Sequence, residues 1–182
     1  EELINEMDSL LKDESHFYLW WLAQSGYLLQ WNSKRILIDP YLSDSLTKKY
    51  LTTDKPHIRI SELVVRPELL GNISVVTSSH NHTDHLDAET LMPVLQNNPG
   101  IKFIIPEANR KFVAERINCN IGFPIGLNDS KSITIDGFTF NGIPAKHNEI
   151  GRDENGNCKY MGYVVEFGGY KIYHSGDTLW FD

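Results

Sequence analysis

The sequence predicts one domain of mixed helix and strand, an α/β (α+β) fold. Three observations lead to this prediction: two-residue turn signals between short apolar runs, apolar residues at helical spacing, and helices that alternate with buried strands. The chain has 182 residues, of which 41% are hydrophobic and 23% charged, so it can form a core of its own. We therefore expect a single domain over residues 1–182.

The first elements are a helix and a β-rich segment. A helix is predicted over residues 3–11, because four apolar side chains recur there at helical spacing. The β-rich segment contains three predicted strands: 19–22, 27–29 and 35–39. The turn at 32–34 makes the last two a hairpin, and Pro40 ends its second strand. Residues 41–67 are polar, so we expect a surface excursion with a short helix near 43–50.

Helices and strands alternate in the middle of the chain, and hairpins follow. The predicted middle elements are a strand at 73–77, a helix at 88–96 capped by Asp87, a strand at 101–105 and a helix at 109–117. Two hairpins then follow: Asp136-Gly137 joins 132–135 to 138–143, and Gly168-Gly169 joins 163–167 to 170–173.

Charge and cysteine content restrict the classes of partner. The formal net charge of -7 disfavours a nucleic-acid partner, because phosphate binding needs an excess of Lys and Arg. Cys119 and Cys158 lack metal-binding spacing, which indicates a reducing compartment, and we expect a cytoplasmic protein. No apolar run is long enough for membrane insertion, and Glu1-Glu2 is unlike a secretory signal. The oligomeric state stays open, a homo-oligomer included.

The informative motif is His80-x-His82-x-Asp84-His85, between the strand at 73–77 and the next helix. In an extended segment, residues two apart point the same way, so His80 and His82 can offer imidazoles to one ion. Asp84 and His85 follow where the chain turns, and can face a second ion nearby. Imidazole and carboxylate ligands suit Zn²⁺, Mn²⁺ or Fe²⁺, and the lack of Cys ligands argues against a closed structural site.

Two later residues complete the candidate ligand set. His147 follows the strand at 138–143, and Asp177 follows the strand at 170–173. Loops that leave strand ends are where rigid scaffolds present functional groups. Each residue alone is compatible with a structural role. The reason to consider it a metal ligand is the presence of the first motif in the same chain.

Together these motifs resemble the metallo-β-lactamase superfamily. The matching features are His80-x-His82-x-Asp84-His85, His147 and the segment 175–178, Ser-Gly-Asp-Thr. The segments 21–27, 36–44 and 174–178 are similar to the branch that contains L-ascorbate-6-phosphate lactonase. This resemblance covers nearly the whole chain from about Leu19 and implies a metallo-β-lactamase-type αββα sandwich.

The resemblance also implies two divalent cations, Zn²⁺ first, with Mn²⁺ or Fe²⁺ as alternatives. By this resemblance the first cation would be bound by His80, His82 and His147. The second would be bound by Asp84 and His85, with Asp177 bridging the two.

Further residues are assigned by position. Asp39 matches a family aspartate that supports the ligands from behind, although it also fits an ordinary Asp-Pro strand end. His174 is expected to line the pocket or contact a ligand carboxylate, or else to be structural. Lys146 and Arg152 could meet an anionic substrate, or be solvated. The superfamily supplies a further His after Gly-Asp-Thr, and residues 178–182 contain none, so we expect a chain incomplete at its C-terminus.

These features predict a metal-dependent hydrolase that acts through a dinuclear-metal-bound hydroxide on a small-molecule substrate. Asp84 and His85 are the expected catalytic residues. A lactone or other ester of a small metabolite ranks first as substrate, and a phospholipid, cyclic or small phosphodiester ranks second. A di-iron flavoprotein pattern would need an acid where His82 stands. A mononuclear non-heme iron oxygenase and a non-catalytic metal-binding module stay open.

Overall fold

A computed structural model describes residues 2–181 of the chain. The described residues form two compact units. The first unit holds residues 2–74 and 82–101, and the second unit holds residues 75–81 and 102–181. The single domain expected over 1–182 stays a prediction. Within residues 2–181, no helix has the length and apolarity needed to cross a membrane.

The first unit contains a three-stranded antiparallel sheet. Its strands are β1 (Tyr18–Trp21), β2 (Tyr27–Trp31) and β3 (Lys34–Ile38). Leu28 pairs with Trp20 of β1 on one side and with Leu37 of β3 on the other. Asn32 and Ser33 form the tight turn with φ of 49° and 58°, as a type I′ hairpin requires. The predicted hairpin is confirmed, with Lys34 already in β3.

One helix precedes these strands in the chain, α1 (Glu2–Ser9). The elements that follow them in the first unit are α2 (Ser45–Tyr50), a 3₁₀ turn (Pro67–Leu69) and α3 (Ala88–Asn97). The predicted helices over 3–11, 43–50 and 88–96 are thereby confirmed. Asp87 lies at the N-cap of α3, but its carboxylate accepts a hydrogen bond from the Thr90 hydroxyl instead of from a backbone N–H. Leu91 and Val94 form the buried face of α3.

The prediction that 41–67 is a surface excursion is wrong at its start. Tyr41 and Leu42 are buried directly after the end of β3. The Leu42 N–H donates to the Thr90 hydroxyl, and the Tyr41 hydroxyl accepts a hydrogen bond from the Leu46 N–H. These bonds draw the segment into the core of the first unit.

The second unit begins with a short parallel sheet. Its strands are β4 (Ile73–Thr77), β5 (Lys102–Pro106) and β6 (Ile125–Leu127), and β4 starts in the first unit. A 3₁₀ turn (Glu107–Asn109) and α4 (Arg110–Arg116) lie between β5 and β6, which confirms the helix predicted at 109–117. The sequence did not predict β6, because three residues that include Gly126 carry no periodic pattern.

A four-stranded antiparallel meander completes the second unit: β7 (Ser132–Ile135), β8 (Phe138–Pro144), β9 (Met161–Phe167) and β10 (Tyr170–His174). Asp136-Gly137 and Gly168-Gly169 form its tight turns with positive φ at all four residues, as predicted. Phe138, Phe140, Tyr163 and Val165 are fully buried from this sheet. The connection from β8 to β9, residues 145–160, is long and carries His147.

Candidate metal centre

The eight residues that the sequence singled out divide between the two units. The second unit holds His80, His147, His174 and Asp177. The first unit holds Asp39, His82, Asp84 and His85. The roles of these residues in metal binding and catalysis stay predictions.

His80 is fixed at the end of β4 by backbone hydrogen bonds within the second unit. Ser78 N–H donates to the Ile104 carbonyl, and Met161 N–H donates to the Ser79 carbonyl. The Tyr163 hydroxyl donates to the Ser78 carbonyl. These bonds tie the strand end to β5 and β9, and His80 itself is only 1% exposed. Its imidazole therefore has little freedom to move.

His147 and Asp177 meet His80 in the second unit. The Nε2 atoms of His80 and His147 each lie 3.8 Å from the Asp177 Oδ2 atom. The ligand atoms of all three residues lie within 4.8 Å of one another. Two imidazoles and one carboxylate at this spacing fit a first-row divalent cation bound at about 2.0–2.2 Å. The donor set thus suits the cation that the sequence predicts.

Tyr160 belongs to this group and was missed by the sequence analysis. Its ring stacks on His147 with centroids 5.1 Å apart and tilts against His80 at 5.4 Å. The Tyr160 carbonyl accepts a hydrogen bond from Ala145 N–H, which sets the two ends of the 145–160 connection side by side. No motif marks Tyr160, because its position depends on the pairing of β8 with β9.

In the first unit, His85 and Asp39 form a buried pair. Asp39 Oδ2 lies 2.7 Å from His85 Nδ1, and the two side chains are 0% and 1% exposed. When a carboxylate accepts a hydrogen bond from the Nδ1–H group of a histidine, the lone pair of Nε2 is left available to a metal. This is the usual arrangement around a histidine that binds a metal. The ion-pair geometry favours this supporting role over a plain strand end.

Asp84 and His82 occupy the turn that follows. Asp84 Oδ2 lies 3.7 Å from His85 Nε2 and accepts a hydrogen bond from Gln24 Nε2 at 3.2 Å. The His82 carbonyl accepts hydrogen bonds from the backbone of His85 and Leu86, which closes the turn. Gln24 lies in the segment that carries the family resemblance, but no local pattern marks it as a residue that contacts Asp84.

His174 and Arg152 lie in the second unit. His174 ends β10 opposite Tyr163 and is 8% exposed. Arg152 donates to both oxygens of Asp129 at 3.0 and 2.8 Å, and this guanidinium lowers the pKa of the Asp129 carboxyl. Because Asp129 accepts hydrogen bonds from both of these nitrogens, Arg152 is better placed to stabilise the 145–160 connection than to bind an anionic substrate.

Gly176 provides a test of the loop that carries Asp177. Its φ is +57°, and a Cβ there would lie 2.8 Å from the Met161 carbonyl oxygen and 2.9 Å from Ser79 Cβ. Gly176→Ala must therefore displace the loop and separate Asp177 from the histidines. We expect about a 10–100-fold loss of zinc affinity, measured by competition with a chelating dye.

The matched control is Gly169→Ala, which has a φ of +83° and nothing within 4 Å of the added Cβ. It carries the left-handed strain of about 1–2 kcal/mol without the clash. Equal zinc affinities in the two variants would show that the loop position does not matter for the metal.

Comparisons with known proteins place the chain in a family. The family model described as beta-lactamase superfamily domain matches residues 18–180. A UPF0173 metal-dependent hydrolase of Methanosarcina mazei is 28% identical over 162 residues, which cover 87% of this chain and 60% of that protein. An N-acyl-phosphatidylethanolamine-hydrolyzing phospholipase D 1 of Caenorhabditis elegans is 24% identical over 179 residues, which cover 91% of this chain and 48% of that protein.

A solved structure supports the same fold. Igni18, a metallo hydrolase from Ignicoccus hospitalis, superposes with a TM-score of 0.52 at 23% identity and covers 88% of this chain and 60% of that chain. The chain thus spans about half to 60% of the length of these relatives. The predicted α/β fold class and the predicted resemblance to the metallo-β-lactamase superfamily are both confirmed. Since the family model covers residues 18–180, the chain belongs to the metallo-β-lactamase superfamily.

Proposed function

We propose that this protein is a metal-dependent hydrolase that opens an ester bond in a small-molecule substrate. The observation that carries the proposal is the convergence of His80, His147 and Asp177, whose ligand atoms lie within 4.8 Å of one another. The pair of Asp39 with His85 supports it, because such a pair prepares an imidazole for metal binding. A relative named as a metal-dependent hydrolase is consistent with this proposal.

Divalent cations, when bound, supply Lewis acidity and lower the pKa of a coordinated water toward 7. The protein's own residues then have distinct tasks. Asp84 accepts and holds the proton that the attacking water loses, with its Oδ2 oriented by Gln24. Asp39 fixes the tautomer of His85, and Tyr160 holds the ring of His147 by stacking.

We propose Zn²⁺ as the native cation, two per chain, since imidazole and carboxylate donors suit it. Mn²⁺ and Fe²⁺ accept the same donors, and a mononuclear iron oxygenase would use a similar set. Metal analysis of protein purified without added metal decides among them. A content dominated by iron, with oxygen uptake in place of hydrolysis, would contradict the hydrolase proposal.

A lactone or other ester of a small metabolite is the first candidate substrate, from the lactonase-like segments 21–27 and 36–44. A phosphodiester is the second candidate, and a specific observation favours it: the C. elegans relative is named as hydrolysing N-acyl-phosphatidylethanolamine. We propose no nucleic-acid substrate, given the net charge of -7, and a cytoplasmic site of action, given two free thiols.

The proposal is tested by turnover of zinc-loaded protein on bis-p-nitrophenyl phosphate and on D-glucono-δ-lactone. Asp84→Ala and His82→Ala are expected to lower kcat by about 100-fold or more on the preferred substrate, as for a lost proton acceptor or ligand. Asp54→Ala, an exposed acid in the first unit, is the control and should retain full turnover. Unchanged turnover in both site variants would remove the proposal, and bound metal without any turnover would indicate a non-catalytic module.

A further inference from the structure

A small cavity in the second unit adjoins His147. It has a volume of about 220 Å³ and is lined by Asn148, Glu149 and Tyr160. Tyr160 also stacks on His147, and Asn148 Nδ2 lies 3.3 Å from His147 Nδ1. Two of the three lining residues therefore touch the ring of His147. If the reacting group of a substrate faced the His147 ring, the adjacent part of the substrate would lie in this cavity.

The Tyr160 ring, which forms one wall of the cavity, is held in place by other residues of the 145–160 connection. A Cβ on Gly151 would lie 3.2 Å from Tyr160 Cε2, so the tyrosine ring rests against the Gly151 backbone. Lys159 N–H donates to the Gly151 carbonyl, and Gly151 N–H donates to the Glu149 carbonyl. Arg152 anchors the same connection to Asp129 through two hydrogen bonds. The Tyr160 ring is thereby positioned before any ligand arrives.

Glu149 gives this cavity its charge. Its side chain is exposed, and its carboxylate forms no ion pair with residues 2–181. The arginine nearest to Glu149 along the chain, Arg152, is committed to Asp129. A carboxylate without a counter-ion attracts a cation, accepts hydrogen bonds from hydroxyl groups and repels an anion.

We propose that this cavity is the subsite for the part of the substrate beyond the scissile bond, and that Glu149 selects its charge. The subsite takes a hydroxylated neutral group or an ammonium group and rejects a carboxylate or a phosphate. The Asn148 amide supplies a further hydrogen-bonding group for such a ligand. This inference rests on the proposed function, because it takes the reacting group to lie at His147.

Three small phosphate monoesters whose far ends differ in charge provide the test. The probes are 2-aminoethyl phosphate, glycerol 3-phosphate and 2-phosphoglycolate, whose far ends are cationic, neutral and anionic. Isothermal titration of zinc-loaded protein should give weaker binding of 2-phosphoglycolate than of 2-aminoethyl phosphate by about tenfold, as expected for unit charges a few ångströms apart near a surface. Glycerol 3-phosphate should lie between them.

Variants of Glu149 then assign the selectivity. Glu149→Gln should reduce the ratio of the two Kd values to about one, and Glu149→Lys should invert it. Glu154→Gln removes the same charge from an exposed position in the same connection, outside the cavity, and should leave the ratio unchanged. The phosphate end is common to all probes, so changes at the metal cancel in the ratio.

The two proposals fail separately in this experiment. A Kd ratio near one in the unmodified protein, or a ratio that Glu149→Gln does not change, overturns the subsite even when ester turnover is intact. Absence of turnover in zinc-loaded protein that still ranks the probes by charge overturns the hydrolase and leaves the subsite standing.

Discussion

Replacing His147 by alanine should lower the zinc affinity of the second unit by more than about 100-fold, and ester turnover should be lost with it. Of the second unit's three candidate donors, the substitution leaves only His80 and Asp177, and a first-row site that loses one imidazole binds its cation less tightly. It also removes the surface on which Tyr160 stacks. Zinc content after dialysis against a chelator, together with kcat on the preferred ester, measures both effects.

The control for this prediction is His16→Ala. His16 is 71% exposed, and among residues 2–181 its polar and ring contacts are with the neighbouring Asp13, Ser15 and Tyr18. Its loss should leave zinc content and kcat unchanged. Circular dichroism shows whether each variant stays folded. A folded His147→Ala protein that keeps its zinc and its turnover would refute the assignment of this histidine as a ligand.

The second large effect is expected at Asp39. Asp39→Asn keeps a side chain that tolerates the left-handed backbone at this position, where φ is 42°, but removes the negative charge that faces His85. We expect the affinity for one of the two proposed cations to fall by about 10–100-fold. Asp39→Ala adds backbone strain and removes a buried partner, so unfolding free energy should fall by about 3–5 kcal/mol.

Urea unfolding of metal-free protein and zinc titration separate the two consequences of changing Asp39. Asp54→Asn is the matched control, because Asp54 is exposed in the same unit. Should Asp39→Asn bind both cations as tightly as the unmodified protein, the hydrogen bond to His85 would be structural only.

Local chemistry explains why most elements could be predicted. The hairpin turns at Asp136-Gly137 and Gly168-Gly169 have the positive φ angles that glycine and aspartate tolerate, and they fix the register of the strands on either side. The strand at 73–77 was predicted with its observed bounds, because a short apolar run between polar segments is a local signal.

The errors arose where long-range bonds decide the structure. Tyr41 and Leu42 lie in a segment of polar composition, yet the hydroxyl of Thr90, far along the chain, draws Leu42 inside. β6 exists because its three residues pair with β5, and a segment this short carries no periodic signal of its own. Interactions between distant segments leave no periodic signature in either one.

The amino-acid sequence by itself determined the chemistry of the candidate centre, because imidazole and carboxylate donors follow from residue type alone. Only the tertiary structure decided that His147 and Asp177 reach His80, that Tyr160 stacks on His147, and that Asp39 pairs with His85. The reason is physical: residue type and short-range spacing belong to the chain, whereas the distance between two loops depends on how the strands that carry them pair and pack.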